Sequence, residues 1–232
     1  MDAEFIIHYR KELSWPGGGV KMAAFPLFVD LKGKVCIVVG GGEVASRKVE
    51  ILSRFEADVR IIAPEVSSSI NAFENRGIVN VRRKEYSGAD LEEAFLAVAA
   101  TSSPEVNDRV FRDARKRNIP VNVVDDPEKC TFIFPSVVKR GELTIGISTS
   151  GGYPALSKKI RKIAEEVFTE EYAEILSMLA DFRIRVRKSQ LGQEEREKTL
   201  KQVVDEFYAR GVISCAALKD ILAEHERDIG LF

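Results

Sequence analysis

A chain of 232 residues, 45% of them apolar, has room for one large domain or two modest ones around a genuine hydrophobic core. Its 35 lysines and arginines stand against 36 acidic residues, a formal charge of -1, which argues against a nucleic-acid binder and confines any anion site to a local patch. Three scattered cysteines (Cys36, Cys130, Cys215), no CxxC and only two histidines argue against a disulfide framework or a zinc site and fit a reducing cytoplasm, and no apolar run approaches the ~18 residues of a membrane span.

The first segment, residues 1–24, reads as an extension. It holds the one tryptophan, Trp15, then Pro16 and three glycines, and Gly17 to Lys21 followed by Met22 has the look of a translated ribosome-binding site. Met22 is therefore the expected natural start. The rival reading is a short docking arm built on Phe5, Ile6, Ile7 and Trp15.

From Lys34 the pattern is strand, helix, strand. Lys34 to Gly40 is β-branched and uninterrupted, as expected of a parallel strand covered on both faces, and the helix after it sets Ala45, Val49 and Leu52 on one side. Strands follow over 58–64, 79–85, 95–101 and 121–126. Helices are expected over 67–75, 89–94 and 104–118, the last with Pro104 in its first turn. Repeated βα units predict an α/β fold with a Rossmann-like parallel sheet.

Gly40, Gly42 and Ala45 fit GxGxxA at the end of the first strand and the opening of a helix, which points to dinucleotide binding. Gly40 permits a sharp turn, Gly42 lets the backbone approach a pyrophosphate, and Ala45 lets helix and strand pack closely. The alternative is a tight turn with no ligand. Glu65 lies 23 residues after Gly42, close to the ~20-residue offset of an acid that takes ribose hydroxyls and favours NAD over NADP; a plain loop charge is the other reading. Thr101, ending the fourth strand, is expected to face the nicotinamide half. Asp125 arrives at the carboxyl edge of the sheet, either as the acid or base of the site or as the start of the turn that Pro127 completes.

The rhythm changes after residue 130. Two β runs joined by Lys139 to Glu142 predict an antiparallel hairpin, or a strand exchanged with a partner. All is helical after Pro154. Four apolar stripes are expected to pack within one chain or across a dimer: Leu156, Ile160, Ile163, Ala164 and Val167; Ile175, Leu176, Leu179 and Phe182; Leu200, Val203, Val204 and Phe207; and Leu218, Ile221 and Leu222. Ser214 reads as a cap, Gly211 as a stop, and Arg183 to Lys198 as a charged, solvated link.

FPLFVDLKGKVCIVVGGGEVASRKVEIL, then AATSSPEVN, then VNVVDDPEKCTFIFPSVVKRGELTIGISTSGGYPALSKKIR closely resemble, in this order, the precorrin-2 dehydrogenase family, including the dehydrogenase part of siroheme synthases. The resemblance covers roughly Phe25 to Glu166 and shows no methyltransferase module. It implies NAD-dependent oxidation of precorrin-2, a tetrapyrrole with eight carboxylates, to sirohydrochlorin. By the family pattern cofactor contacts fall on Glu43, Val44, Pro64 and Glu65, beside Gly40, Gly41 and Gly42 of the glycine turn and Thr101, and Asp125 matches the family's catalytic carboxylate. No metal ligands are implied.

A polyanionic substrate needs cations and backbone donors. Ser148, Thr149, Ser150 and Gly151, leading into a helix that carries Lys158, supply them, with Arg47 and Lys48 as second candidates. The sequence departs from the family at Tyr153 before Pro154. The resemblance further implies a homodimer formed through the hairpin and helices. The expected organisation is a Rossmann domain over 25–130, a dimerisation region over 131–168 and a C-terminal helical domain over 169–232, in a cytoplasmic enzyme that engages neither nucleic acid nor membrane. Two alternatives stay open: a bifunctional enzyme that also inserts ferrous iron as a ferrochelatase, and a NAD-sensing regulatory domain.

Overall fold

The computed structural model describes residues 24–230, so the expectations for Met22 and the docking arm lie outside the described residues. The chain divides into two compact units with the boundary between Ile133 and Phe134. The hairpin and the C-terminal helices therefore belong to one unit.

In the first unit five strands form a parallel sheet: β1 (Val35–Val39), β2 (Asp58–Ile62), β3 (Val79–Arg82), β4 (Leu96–Ala99) and β5 (Val121–Val123). Their spatial order, β3-β2-β1-β4-β5, reverses direction between β1 and β4, the switch point at which such sheets bind ligands. The uninterrupted apolar character of β1 has its physical cause here, because Cys36, Ile37, Val38 and Val39 are covered on both faces. Helix α1 (Glu43–Arg54) buries Ala45, Val49 and Leu52 as their spacing predicts. Helices α2 (Ser68–Asn75) and α3 (Pro104–Lys116) start at serine caps, Ser67 accepting from the Ile70 N–H and Ser103 from the Val106 N–H.

Element ends depart from the sequence reading. The helix expected over 89–94 is only a 3-10 turn, Gly88–Leu91, opened by a capping box in which the Asp90 carboxylate accepts from the Ser87 N–H at 2.9 Å and its hydroxyl at 3.1 Å. Strand β5 stops at Val123, because Asp125 turns the chain with a left-handed φ of 60°.

In the second unit β6 (Ser136–Arg140) and β7 (Leu143–Ile147) pair antiparallel as expected. Lys139 and Arg140 extend β6, and Gly141, with φ 55°, occupies the first place of a two-residue turn, where glycine relieves the positive φ. Four helices follow: α4 (Pro154–Val167), α5 (Glu171–Lys188), α6 (Gln193–Ala209) and α7 (Cys215–Asp228). The charged link expected from Arg183 to Lys198 is helical except at residues 189–192. Val186 is buried one turn after Phe182, and this apolar anchor carries α5 through its charged last turn. Ser214 caps α7 through the Ala217 N–H, and Gly211, with φ 70°, follows the end of α6.

Phe182, Val186, Val203, Phe207, Leu218 and Ile221 form the core of this unit, so three of the four apolar stripes pack inward. The first does not. On α4, Leu156, Ile160, Ile163 and Val167 are 40–58% exposed, an apolar face without cover among the described residues. No helix among the described residues is long and apolar enough to cross a membrane.

Replacing Phe182, which is fully buried, with Ala removes a ring that the surrounding side chains cannot refill. The expected loss is about 3–5 kcal/mol of stability in the second unit, read as a lowered urea midpoint.

Candidate functional site

The switch point is built from backbone with no space for side chains. A Cβ added to Gly40, whose φ is 124°, would lie 2.3 Å from the Ala100 carbonyl oxygen, and one added to Gly41 would lie 1.9 Å from the Glu65 carbonyl oxygen. These two glycines draw the end of β1 against the end of β4 on one side and the loop after β2 on the other. Backbone bonds hold the arrangement, from the Gly40 N–H to the Ile62 carbonyl at 3.0 Å and from the Ser67 N–H to the Gly41 carbonyl at 2.7 Å.

Gly42 differs from both. Its φ of -81° suits any residue, and an added Cβ would meet nothing within 4 Å. Neither conformation nor internal packing demands glycine there. It faces open space in front of the first turn of α1, where Gly42, Glu43 and Val44 present N–H groups that no helical carbonyl takes up. A bare main chain at a helix N-terminus of twelve residues fits a diphosphate, so the residues present suit a dinucleotide. Ala45, at 0% exposure, packs the helix against the sheet behind this opening.

The remaining groups surround the same edge. Pro64 and Glu65 are exposed on the loop that touches Gly41. Thr101 is less free than its position implies. Its hydroxyl donates to the Asn107 side-chain oxygen at 2.9 Å, and its N–H contacts that same oxygen at 3.2 Å, while the Asn107 amide returns a bond to the Thr101 carbonyl. Asn107 was missed in the sequence; the signal was an amide in the first turns of a helix just after Thr-Ser-Ser, placed to bond back onto the loop.

Asp125 sits exposed in the turn after β5 with its left-handed backbone, a conformation uncommon outside glycine and concentrated at functional sites. Its neighbour Asp126 is committed elsewhere. Lys129 bonds Asp126 and Asp108 at 2.7 Å each, and that hydrogen bond holds the Asp126 carboxyl below the usual carboxylate range. Cys130 closes the turn by donating toward the Val123 and Asp126 carbonyls, and burial pushes its thiol up, leaving it neutral near pH 7. Lys48 of α1 reaches this corner. Partial burial pulls its ammonium down from the ordinary lysine value, and attraction to Cys130 and Asp125 opposes that shift.

In the second unit, Ser148 to Gly152 form a folded loop before α4. The Ser148 hydroxyl accepts from the Ser150 N–H, the Thr149 hydroxyl accepts from the Tyr153 N–H, and Ser150 and Gly151 have φ of 52° and 80°. Lys158 lies exposed one turn into the helix. No group of three or more histidine, cysteine or acidic residues suited to a metal ion occurs among the described residues.

Residues 27–136 match a family described as "Putative NAD(P)-binding". The siroheme synthase of Methylobacillus flagellatus is 36% identical over 208 residues, covering 87% of this chain and 44% of that protein. The siroheme synthase of Pseudomonas entomophila is 39% identical over 166 residues, covering 72% and 36%. The chain thus spans less than half the length of the curated relatives it matches. The solved structure of SirC, a precorrin-2 dehydrogenase, superposes with a TM-score of 0.70 at 27% identity, covering 88% of this chain and all of that one.

The contrast between the glycines is directly testable. Gly42→Val is expected to leave the thermal midpoint within about 2 °C, since the space is open, and to weaken NAD binding at least ~10-fold by titration. Gly41→Ala is expected to lower stability as well, because its methyl overlaps the Glu65 carbonyl.

Proposed function

This chain belongs to the precorrin-2 dehydrogenase family, and on that premise we propose that it dehydrogenates precorrin-2 to sirohydrochlorin with NAD as oxidant, in the cytoplasm, as a step toward siroheme. The observation that carries this reading is the likeness along the whole length of SirC, combined with a glycine turn whose third glycine faces open space. NAD supplies a hydride acceptor when bound.

The N–H groups of Gly42, Glu43 and Val44 hold the diphosphate, the Glu65 carboxylate takes the adenosine ribose hydroxyls, and Pro64 shapes that loop. Thr101, oriented by Asn107, forms the wall of the nicotinamide half through its backbone more than through its hydroxyl, which is already engaged. Asp125 is the base. It accepts the proton that the macrocycle loses as the hydride departs, so the two hydrogens removed leave as one hydride and one proton. Its exposure in the turn after β5 leaves the carboxylate open to a substrate.

The carboxylates of the tetrapyrrole call for donors and cations. Ser148, Thr149, Ser150, Gly151 and Lys158 are the groups of the second unit suited to that task. The exposed face of α4 supports a homodimer, since four large apolar side chains in one stripe gain little from facing water.

Asp125→Ala is expected to bind NAD as before and to lose ~100-fold or more of the rate at which precorrin-2 is oxidised, followed by absorbance under anaerobic conditions. Undiminished turnover would remove Asp125 from the chemistry, and intact NAD binding with an unaltered tetrapyrrole spectrum for the unmodified chain would favour a sensor. Ile160→Glu, placing a charge in the α4 stripe, is expected to convert the dimer to monomer in sedimentation at micromolar concentration.

A further inference from the structure

The preference for one nicotinamide cofactor over the other has a second determinant beside Glu65. Ile62 of β2 lies opposite Arg82 of β3, which places Arg83 beside Ala63 and next to the Pro64-Glu65 loop. The end of β3 thus delivers Arg82, Arg83 and Lys84 to the edge where the adenosine ribose belongs, and an arginine in this region is what accommodates a 2'-phosphate in related folds.

All three cations are tied to carboxylates. Lys84 bonds Asp90 at 2.9 Å and Arg82 approaches it at 3.9 Å, and Asp90 is a buried group of the scaffold that needs these charges. Arg83 is held differently. Its two terminal nitrogens fork onto Glu74 at 2.9 and 2.6 Å, and the second also reaches the Asn71 side-chain oxygen at 2.9 Å, both partners being on α2. Arg83 and Glu74 are 48% and 29% exposed, so no buried charge requires the pair, and an exposed ion pair adds little to stability. Its consequence is positional, because a bidentate bond occupies the same edge of the guanidinium that would clasp a phosphate.

We propose that Glu74, with Asn71, holds Arg83 down along α2 and away from the adenosine ribose, and that this restraint acts together with Glu65 to select NAD against NADP. Glu65 repels a 2'-phosphate directly; Glu74 is a positioning residue that withholds the cation able to receive it. The proposal rests on the cofactor reading given above and deepens it.

The test compares dissociation constants of NAD and NADP by titration for the full chain and four variants: Glu74→Gln, Glu65→Ser, Glu65→Ser with Glu74→Gln, and that pair with Arg83→Ala. Glu74→Gln is expected to tighten NADP about 10-fold or more over Glu65→Ser alone, and Arg83→Ala to erase the gain. Glu74→Gln on its own is expected to leave NAD binding within about twofold. No gain from Glu74→Gln, or a gain that survives Arg83→Ala, would overturn the proposal. Failure of the unaltered chain to bind NAD would instead overturn the cofactor reading, and this proposal with it.

Discussion

The architecture of the first unit depends on one steric constraint: two adjacent glycines at the end of β1 sit so close to neighbouring carbonyls that no side chain fits. Gly40 presses on Ala100 and Gly41 on Glu65, and through these contacts three strand ends, β1, β2 and β4, meet at one edge. Hydrophobic burial of the strands provides the driving force, but it is indifferent to where the loops go. The glycine contacts decide that. They leave Gly42 as a place where the main chain is bare for no internal reason, in front of a helix N-terminus.

The charges around this edge follow a division of labour. Asp126, Asp90 and Glu74 are each engaged by cations at short distance, whereas Asp125 sits exposed on a left-handed turn and shares its corner with the half-buried Lys48. An exposed carboxylate without a short ion pair among the described residues suits proton acceptance, since strong pairing would stabilise the anion and weaken it as a base. Neighbouring residues in a Val-Asp-Asp-Pro turn thus have different surroundings, one paired with Lys129 and one left exposed.

Much of this was legible in the sequence because local patterns and tertiary packing agree. The unbroken apolar run of β1, Pro104 in the first turn of α3, the serine cap at Ser214 and the glycine spacing each specify their surroundings over a few residues. What stayed hidden depends on individual polar side-chain contacts. The Asp90 cap on Ser87, the Asn107 clamp on Thr101 and the Lys129 bridge from Asp108 to Asp126 leave no periodic trace. The charged run from Arg183 to Lys198 was misleading for a related reason: the burial of Val186 outweighs the polarity of its neighbours. Periodicity alone likewise left open whether the α4 stripe packs within one chain or across a dimer, and among the described residues it remains uncovered.

The central claim is spatial, that a dinucleotide rests on Gly42 and brings its redox-active ring to Asp125. A crystal structure of the chain with NAD and sirohydrochlorin tests it most directly. The account predicts diphosphate oxygens about 3 Å from the N–H groups of Gly42 and Glu43, with the Asp125 carboxylate within hydrogen-bond reach of the macrocycle. A diphosphate bound away from the first turn of α1, or an Asp125 side chain directed away from the tetrapyrrole, would contradict it.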